Sequence, residues 1–246
     1  MKKTERFAAI LSLLNCKKYL SVEELSGQLF VSASTLRRDL AEMSRSGYLI
    51  RTRGGAMALT PEEAEETVIH HPGETLSAAQ DAIARRAASL IQDGDMIYLD
   101  TSRLILGMAA YLREKKRLTI VTNSLQLALT LPEGRHRLIS LGGELAARNM
   151  SVTGRLAIAG AERFNYRLAI FACSGLSNGY ITCRSAATAS LMERVAQRAE
   201  RRALLCPRAK AERVTAVNAL PVSQMDVIIT DAPEYFPQAQ DRVICP

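Results

Sequence analysis

The chain has no tryptophan, only three histidines, five cysteines and 5% aromatic residues in 246 positions. The cysteines, Cys16, Cys173, Cys183, Cys206 and Cys245, are odd in number and never spaced C-x-x-C, so neither a disulfide framework nor a zinc site is expected. Two of the histidines, His70 and His71, are neighbours in a polar stretch, and His136 opens an apolar run. No metal site and no cofactor are expected from them. Long apolar runs are missing too, since nothing approaches the roughly 18 residues of a membrane span. The N-terminal "MKKTERFAAILSLLNCKKYL" has its apolar core interrupted by Ser12 and Asn15 and lacks a small-residue cleavage site, which predicts an amphipathic helix rather than a signal peptide. The expectation is a cytoplasmic protein with reduced cysteines and no membrane partner.

What is present is a hydrophobic content of 48% and enough length for a small domain plus a medium one. The formal charge is +7, and residues 1–57 carry +5 of it, ten basic residues outnumbering five acidic ones. The basic character therefore belongs to the N-terminus and points to an anionic partner there.

In that N-terminal stretch Phe7, Ile10, Leu13 and Leu14 share one face of a first helix. Ser21 and Glu24 have the spacing of a capping box and open a second helix with Val22, Leu25 and Leu29 inward. After a short turn, Phe30 to Ser32, a third helix starts at Ser32 or Ser34 with Leu36, Leu40 and Met43 as its apolar stripe, and Gly47 suits its C-terminal cap. "GYLIRTRGGAM" then reads as strand, basic glycine turn and strand. Two helices joined by a tight turn, the second with Ser34, Thr35, Arg37 and Arg38 on its first turns, form a helix-turn-helix pattern. Hydroxyls there grip phosphates, and arginine bonds bidentately to guanine. Adjacent arginines point about 100° apart, so one reaches base edges while the other takes a phosphate.

These residues, "RFAAILSLL" and "LSVEELSGQLFVSASTLRRDLAEMSRSGYLIRTRGGA", resemble the winged helix-turn-helix of the DeoR family of bacterial transcriptional regulators. The pattern T-x-R-R-D-L followed by R-x-x-G-G-A is matched at Thr35, Arg37, Arg38, Asp39, Leu40, Arg51, Gly54, Gly55 and Ala56, with Leu36 where the family more often has isoleucine. The resemblance implies a repressor whose third helix reads a double-stranded DNA operator. Ser32, Ser34, Thr35, Arg37, Arg38, Arg51, Arg53, Gly54 and Gly55 are the expected DNA-binding residues.

The expected organisation is a winged helix-turn-helix over 1–59, an acidic, proline-punctuated linker over 60–75 and an α/β domain over 76–246. From Ala78 onward, helices alternate with short apolar strands at Met96–Leu99, Leu118–Val121, Arg137–Leu141, Leu168–Cys173, Ala203–Cys206 and Val227–Thr230. Such alternation predicts a mainly parallel sheet with helices on both faces. Ligands in these sheets sit beyond the carboxyl ends of the strands. The polar residues there are Asp100, Thr101, Ser102 and Arg103, then Thr122, Asn123 and Ser124, then Gly142 and Gly143, with Ser151 and Gly154 from "NMSVTG" and Lys210 further on. Hydroxyls and backbone N–H groups at helix starts make a phosphate cradle, to which Lys210 adds a charge. Each hydroxyl has an ordinary alternative role as a helix cap.

The segments "YLDTS", "LTIVTNSLQLALTL", "LISLGGEL", "SVTGRLA", "CPRAK" and "MDVIITD" follow in order the landmarks of the DeoR-family sensor domain, which is similar to sugar-phosphate isomerases and CoA transferases. The resemblance implies that these residues bind a small anionic metabolite, a phosphosugar. The chain departs from it where the family has a Ser-Gly-Thr-Thr type loop, for which Thr101, Ser102, Arg103 and Leu104 stand here, and at Pro207, where an aspartate is usual. Arg103 either forks onto the ligand or fills the cradle by pairing with Asp100. Two further classes remain open. An isomerase-like enzyme with a DNA-binding head needs a matched general acid and base, whereas Asp100, Glu144 and Lys210 offer none. A constitutive DNA binder with a degenerate sensor accounts for the missing loop residues. A homo-oligomer is expected, because one small head covers only a half-site.

Overall fold

In the computed structural model the structure describes residues 3–45, 48–58, 76–131, 134–146 and 149–246. The expected connector 60–75, with His70 and His71, and the Gly47 cap lie outside these residues. The chain divides into two compact units, one N-terminal and one C-terminal.

The N-terminal unit runs α1 (Lys3–Lys17), β1 (Tyr19–Ser21), α2 (Val22–Leu29), α3 (Ala33–Arg45), β2 (Leu49–Arg51) and β3 (Gly55–Ala58). Ile10 and Leu14 from α1, Val22 and Leu25 from α2, and Leu36, Leu40 and Met43 from α3 meet in one core with Leu20, Leu49 and Ala56. The Ser21–Glu24 capping box forms as the spacing requires: Ser21 Oγ accepts from Glu24 N at 3.1 Å and Glu24 Oε2 accepts from Ser21 N at 2.8 Å. Ionic rungs lace α1 to the back of α3. Arg6 donates to both carboxylate oxygens of the buried Asp39, at 2.7 and 3.1 Å, and Lys3 donates to Glu42 at 2.6 Å.

The wing has three strands rather than two, in the order β1-β3-β2, all antiparallel. The sequence hides β1 because three residues are too few to show a period. Its pairing explains Gly55, which lies opposite Ser21 and is buried. A Cβ on Gly55 would fall against the Leu20 carbonyl oxygen and the Ser21 Cα, so this position is needed for close approach of two backbones.

The C-terminal unit continues with α4 (Ala78–Ser89), β4 (Met96–Leu99), α5 (Arg103–Leu112), β5 (Thr119–Thr122), α6 (Leu125–Thr130), β6 (Arg137–Ser140), β7 (Glu144–Ala146), β8 (Ser151–Thr153), α7 (Arg155–Ala161) and β9 (Tyr166–Ala172). There follow β10 (Gly175–Ser177), β11 (Tyr180–Cys183), α8 (Ala186–Gln197), β12 (Ala199–Leu205), α9 (Arg208–Ala211), β13 (Val217–Pro221), β14 (Val227–Ile229) and β15 (Val243–Ile244). Seven strands form one parallel sheet in the order β15-β14-β12-β9-β4-β5-β6. Tyr98, Val121, Phe171 and Leu204 face Met192 and Val195 of α8, while Ile97, Leu99, Ile120 and Ile170, also fully buried, alternate onto the other face. Two small antiparallel sheets, β7-β8 and β10-β11-β13, are additions that the strand reading above does not contain.

Replacing Gly55 by alanine is expected to lower stability by about 1–3 kcal/mol, the cost of overpacking against an immobile backbone. Urea unfolding followed by circular dichroism measures it, and an unchanged midpoint contradicts the close approach.

Candidate DNA interface and effector site

At the start of α3 the hydroxyls are knitted together. Ser32 Oγ accepts from Thr35 N at 3.3 Å and lies 2.9 Å from Thr35 Oγ1 and 3.1 Å from Ser34 Oγ. Ser32 thus caps the helix, and the three hydroxyls form one polar tip. Leu36, Asp39 and Leu40 point inward, leaving Arg37 and Arg38 exposed on the same helix. Arg51, Arg53 and Gly54 are exposed on the wing. Gly55 differs from these in being buried, paired with Ser21 of β1.

The effector candidates gather where the large sheet changes direction. From β4 the chain winds outward through β5 to β6, then returns to the other side of β4 as β9. The β4–β9 junction is therefore a topological switch point, the place where open α/β sheets leave a crevice at the strand ends. Asp100 spans it. Its N–H donates to Ile170 O on β9 at 3.1 Å, its Oδ2 accepts from Ala172 N at 3.5 Å and its Oδ1 accepts from Thr101 N at 2.7 Å. Asn123 adds a side-chain hydrogen bond, and Thr101 Oγ1 donates to Asn123 Oδ1 at 3.1 Å. Asp100 is only 5% exposed. Burial raises its carboxyl to about 6, against the lowering effect of these donors.

The neighbouring hydroxyls are largely committed. Thr122 Oγ1 donates to Leu99 O at 2.7 Å and accepts from Ser124 N at 3.0 Å. Ser102 Oγ caps α5 through Ile105 N at 3.0 Å, and Ser124 Oγ caps α6 through Leu127 N at 3.2 Å. Val152 N donates to Asn123 O at 2.9 Å and so brings β8, with the buried Ser151, against this loop. Gly143, with φ 146°, sits against Thr153 O, and Gly154, with φ 87°, lies beside Glu144. Gly142 is exposed with open space about it.

The structure thus joins Asp100, Thr101, Asn123, Ser124 and Ser151 in one group. Lys210 lies on α9, which follows β12, two strands from β4 in the sheet order. Two positions escaped the sequence reading. Ala172 N holds Asp100, and the buried Cys183, raised first by burial, is also raised by the Asp100 charge. Neither is signalled by residue type: the first comes from the β4–β9 pairing, and the second from β11, outside the large sheet. Among the described residues no group of three His, Cys, Asp or Glu is placed to hold a metal ion, and no helix is long and apolar enough to cross a membrane.

Comparison with known proteins agrees with this two-part layout. Residues 6–62 match the family model described as DeoR-like helix-turn-helix domain, and residues 76–232 match the one described as DeoR C terminal sensor domain. The glycerol-3-phosphate regulon repressor of Escherichia coli strain K12 is 30% identical over 235 residues, which is 95% of this chain and 92% of that protein. The HTH-type transcriptional repressor GlcR of Bacillus subtilis strain 168 is 29% identical over 234 residues, 94% of this chain and 89% of that protein. A solved structure of eIF2B delta from Chaetomium thermophilum is 17% identical and covers 63% of this chain and 56% of that one, with a TM-score of 0.47.

The raised carboxyl of Asp100 has a pH signature. Between its ordinary value of 3.8 and its folded value of about 6, the folded chain binds the proton more tightly than the unfolded one, so stability falls as pH rises through this window. Asp100→Asn is expected to remove that slope. Thermal melts from pH 4.5 to 8 test it, and parallel slopes for the two proteins refute it.

Proposed function

Because the chain belongs to the DeoR family of transcriptional regulators, we propose that it represses genes of sugar or polyol phosphate metabolism and leaves its operator when a phosphorylated metabolite enters the β4–β9 switch point. Family membership makes it a DNA-binding transcriptional regulator. The observation that supports the sensing role is the placement of Asp100, a buried carboxylate held by donors from two strands where such sheets take ligands. At neutral pH Asp100 is ionised and repels phosphate, so it accepts from a ligand hydroxyl, while the phosphate lies toward the N-terminus of α5 and Arg103. The name of the Escherichia coli relative carries glycerol 3-phosphate, a ligand of this chemistry.

On the DNA side, the polar tip of α3 grips phosphates while Arg37 and Arg38 divide between base edges and backbone; Arg51 and Arg53 of the wing follow the adjoining phosphates. Two copies acting on paired half-sites supply the affinity that one head lacks. The reading places the protein in the cytoplasm with its DNA.

Arg37→Ala and Arg38→Ala are each expected to cost about 1–3 kcal/mol of affinity for a duplex selected by the wild type. Arg51→Ala or Arg53→Ala lowers the salt slope by about one. Titration by fluorescence anisotropy reads both, and sedimentation of the complex is expected to show two copies per duplex. Undiminished binding by the Arg37/Arg38 double variant, or a single copy per duplex, removes the corresponding part of the proposal.

Calorimetry with a panel of sugar and polyol phosphates tests the sensor. Binding without turnover that is lost in Arg103→Ala supports the ligand clamp. Binding gained in that variant shows Arg103 filling the site instead. Turnover favours an isomerase-like enzyme, and silence from both proteins favours a constitutive DNA binder.

A further inference from the structure

Phe30 is the most exposed of the large apolar side chains among the described residues, 94% accessible, and its backbone is left-handed, with φ 54°. Both features are unfavourable. A bulky side chain in the left-handed region crowds its own backbone, and a phenyl ring in water gains nothing from burial. Glycine or asparagine would turn the chain there without either cost. A strained and solvent-exposed aromatic contributes nothing to folding, so its position carries the argument.

Phe30 closes α2 and stands two residues before Ser32, the cap of α3. At no more than about 3.6 Å per residue its Cα is within roughly 7 Å of that cap. It therefore flanks the polar tip of Ser32, Ser34 and Thr35, on a unit whose first 57 residues carry a formal charge of +5. A duplex that meets that tip passes close to the Phe30 backbone, and the ring is not held back by packing. The apolar group that B-DNA offers a side chain in its major groove is the thymine C5-methyl, which phenylalanine contacts in direct readout.

We infer that Phe30 is a DNA-contacting residue whose ring packs on a thymine methyl beside the first turn of α3 and favours thymine at that position. The inference rests on the DNA-binding reading of α3, and its test separates the two. A duplex selected from a random pool by the full-length wild type is prepared in its normal form and with deoxyuridine replacing each thymine in turn. Phe30→Asn and Phe30→Gly are expected to melt at the wild-type temperature or above it, since both relieve the backbone, while binding the normal duplex roughly tenfold more weakly. One deoxyuridine position is expected to weaken the wild type and to leave both variants unaffected.

If both variants bind as tightly as the wild type while the Arg37/Arg38 double variant does not, the role of Phe30 is overturned and α3 still reads DNA. If the double variant also binds normally, the DNA interface itself is misplaced. Unchanged DNA affinity together with a smaller assembly in light scattering would assign the ring to contact with a second copy and overturn the inference equally.

Discussion

A parallel sheet covered by helices on both faces has no place for polar side chains except where its strands leave it. That constraint shapes the C-terminal unit. β4 is buried from Ile97 through Leu99, and the next residue is Asp100. The strands on either side end the same way, β5 in Thr122, Asn123 and Ser124, and β9 in Ala172, whose N–H Asp100 accepts. Because the winding reverses between β4 and β9, this carboxylate sits where the ends of two strands distant in sequence lie side by side. The hydrogen bonds among Asp100, Thr101 and Asn123 are consequences of that position rather than independent features.

Much of this was legible beforehand, and the limits are physical. Apolar runs such as Met96–Leu99 and Val227–Ile229 announce buried strands, and Ser21 and Glu24 announce a helix start. What no single run records is which strands become neighbours: Asp100 and Ala172 are 72 positions apart, and only the sheet order brings them together. Short strands are the other gap. β1, β7 and β10 have three residues each, too few for alternation to show. One signal was present in the Asn178-Gly179 pair, whose positive φ values of 47° and 79° make the tight turn between β10 and β11. Residue type also cannot separate a ligand-binding hydroxyl from a capping one. Ser102 and Ser124 have the chemistry of a phosphate cradle, yet their oxygens close α5 and α6.

The N-terminal unit shows how much a helix can separate in three consecutive residues. Arg37 and Arg38 turn toward solvent while Asp39 turns under the helix to Arg6. The exposed pair is unencumbered by packing, whereas Asp39 is fixed by a partner 33 positions earlier and by the core residues Leu36 and Leu40 on either side. The motif is thus half surface and half foundation, although its letters look alike.

This division sets different consequences for substitution. The outward arginines answer to whatever surface they meet, and replacing either one leaves the core packing untouched. Positions 6 and 39 form a lock whose halves must change together, since loss of either strands a charge against the core. A change at 37 or 38 therefore alters the surface on an unaltered frame, whereas a change at 6 or 39 reaches the frame itself.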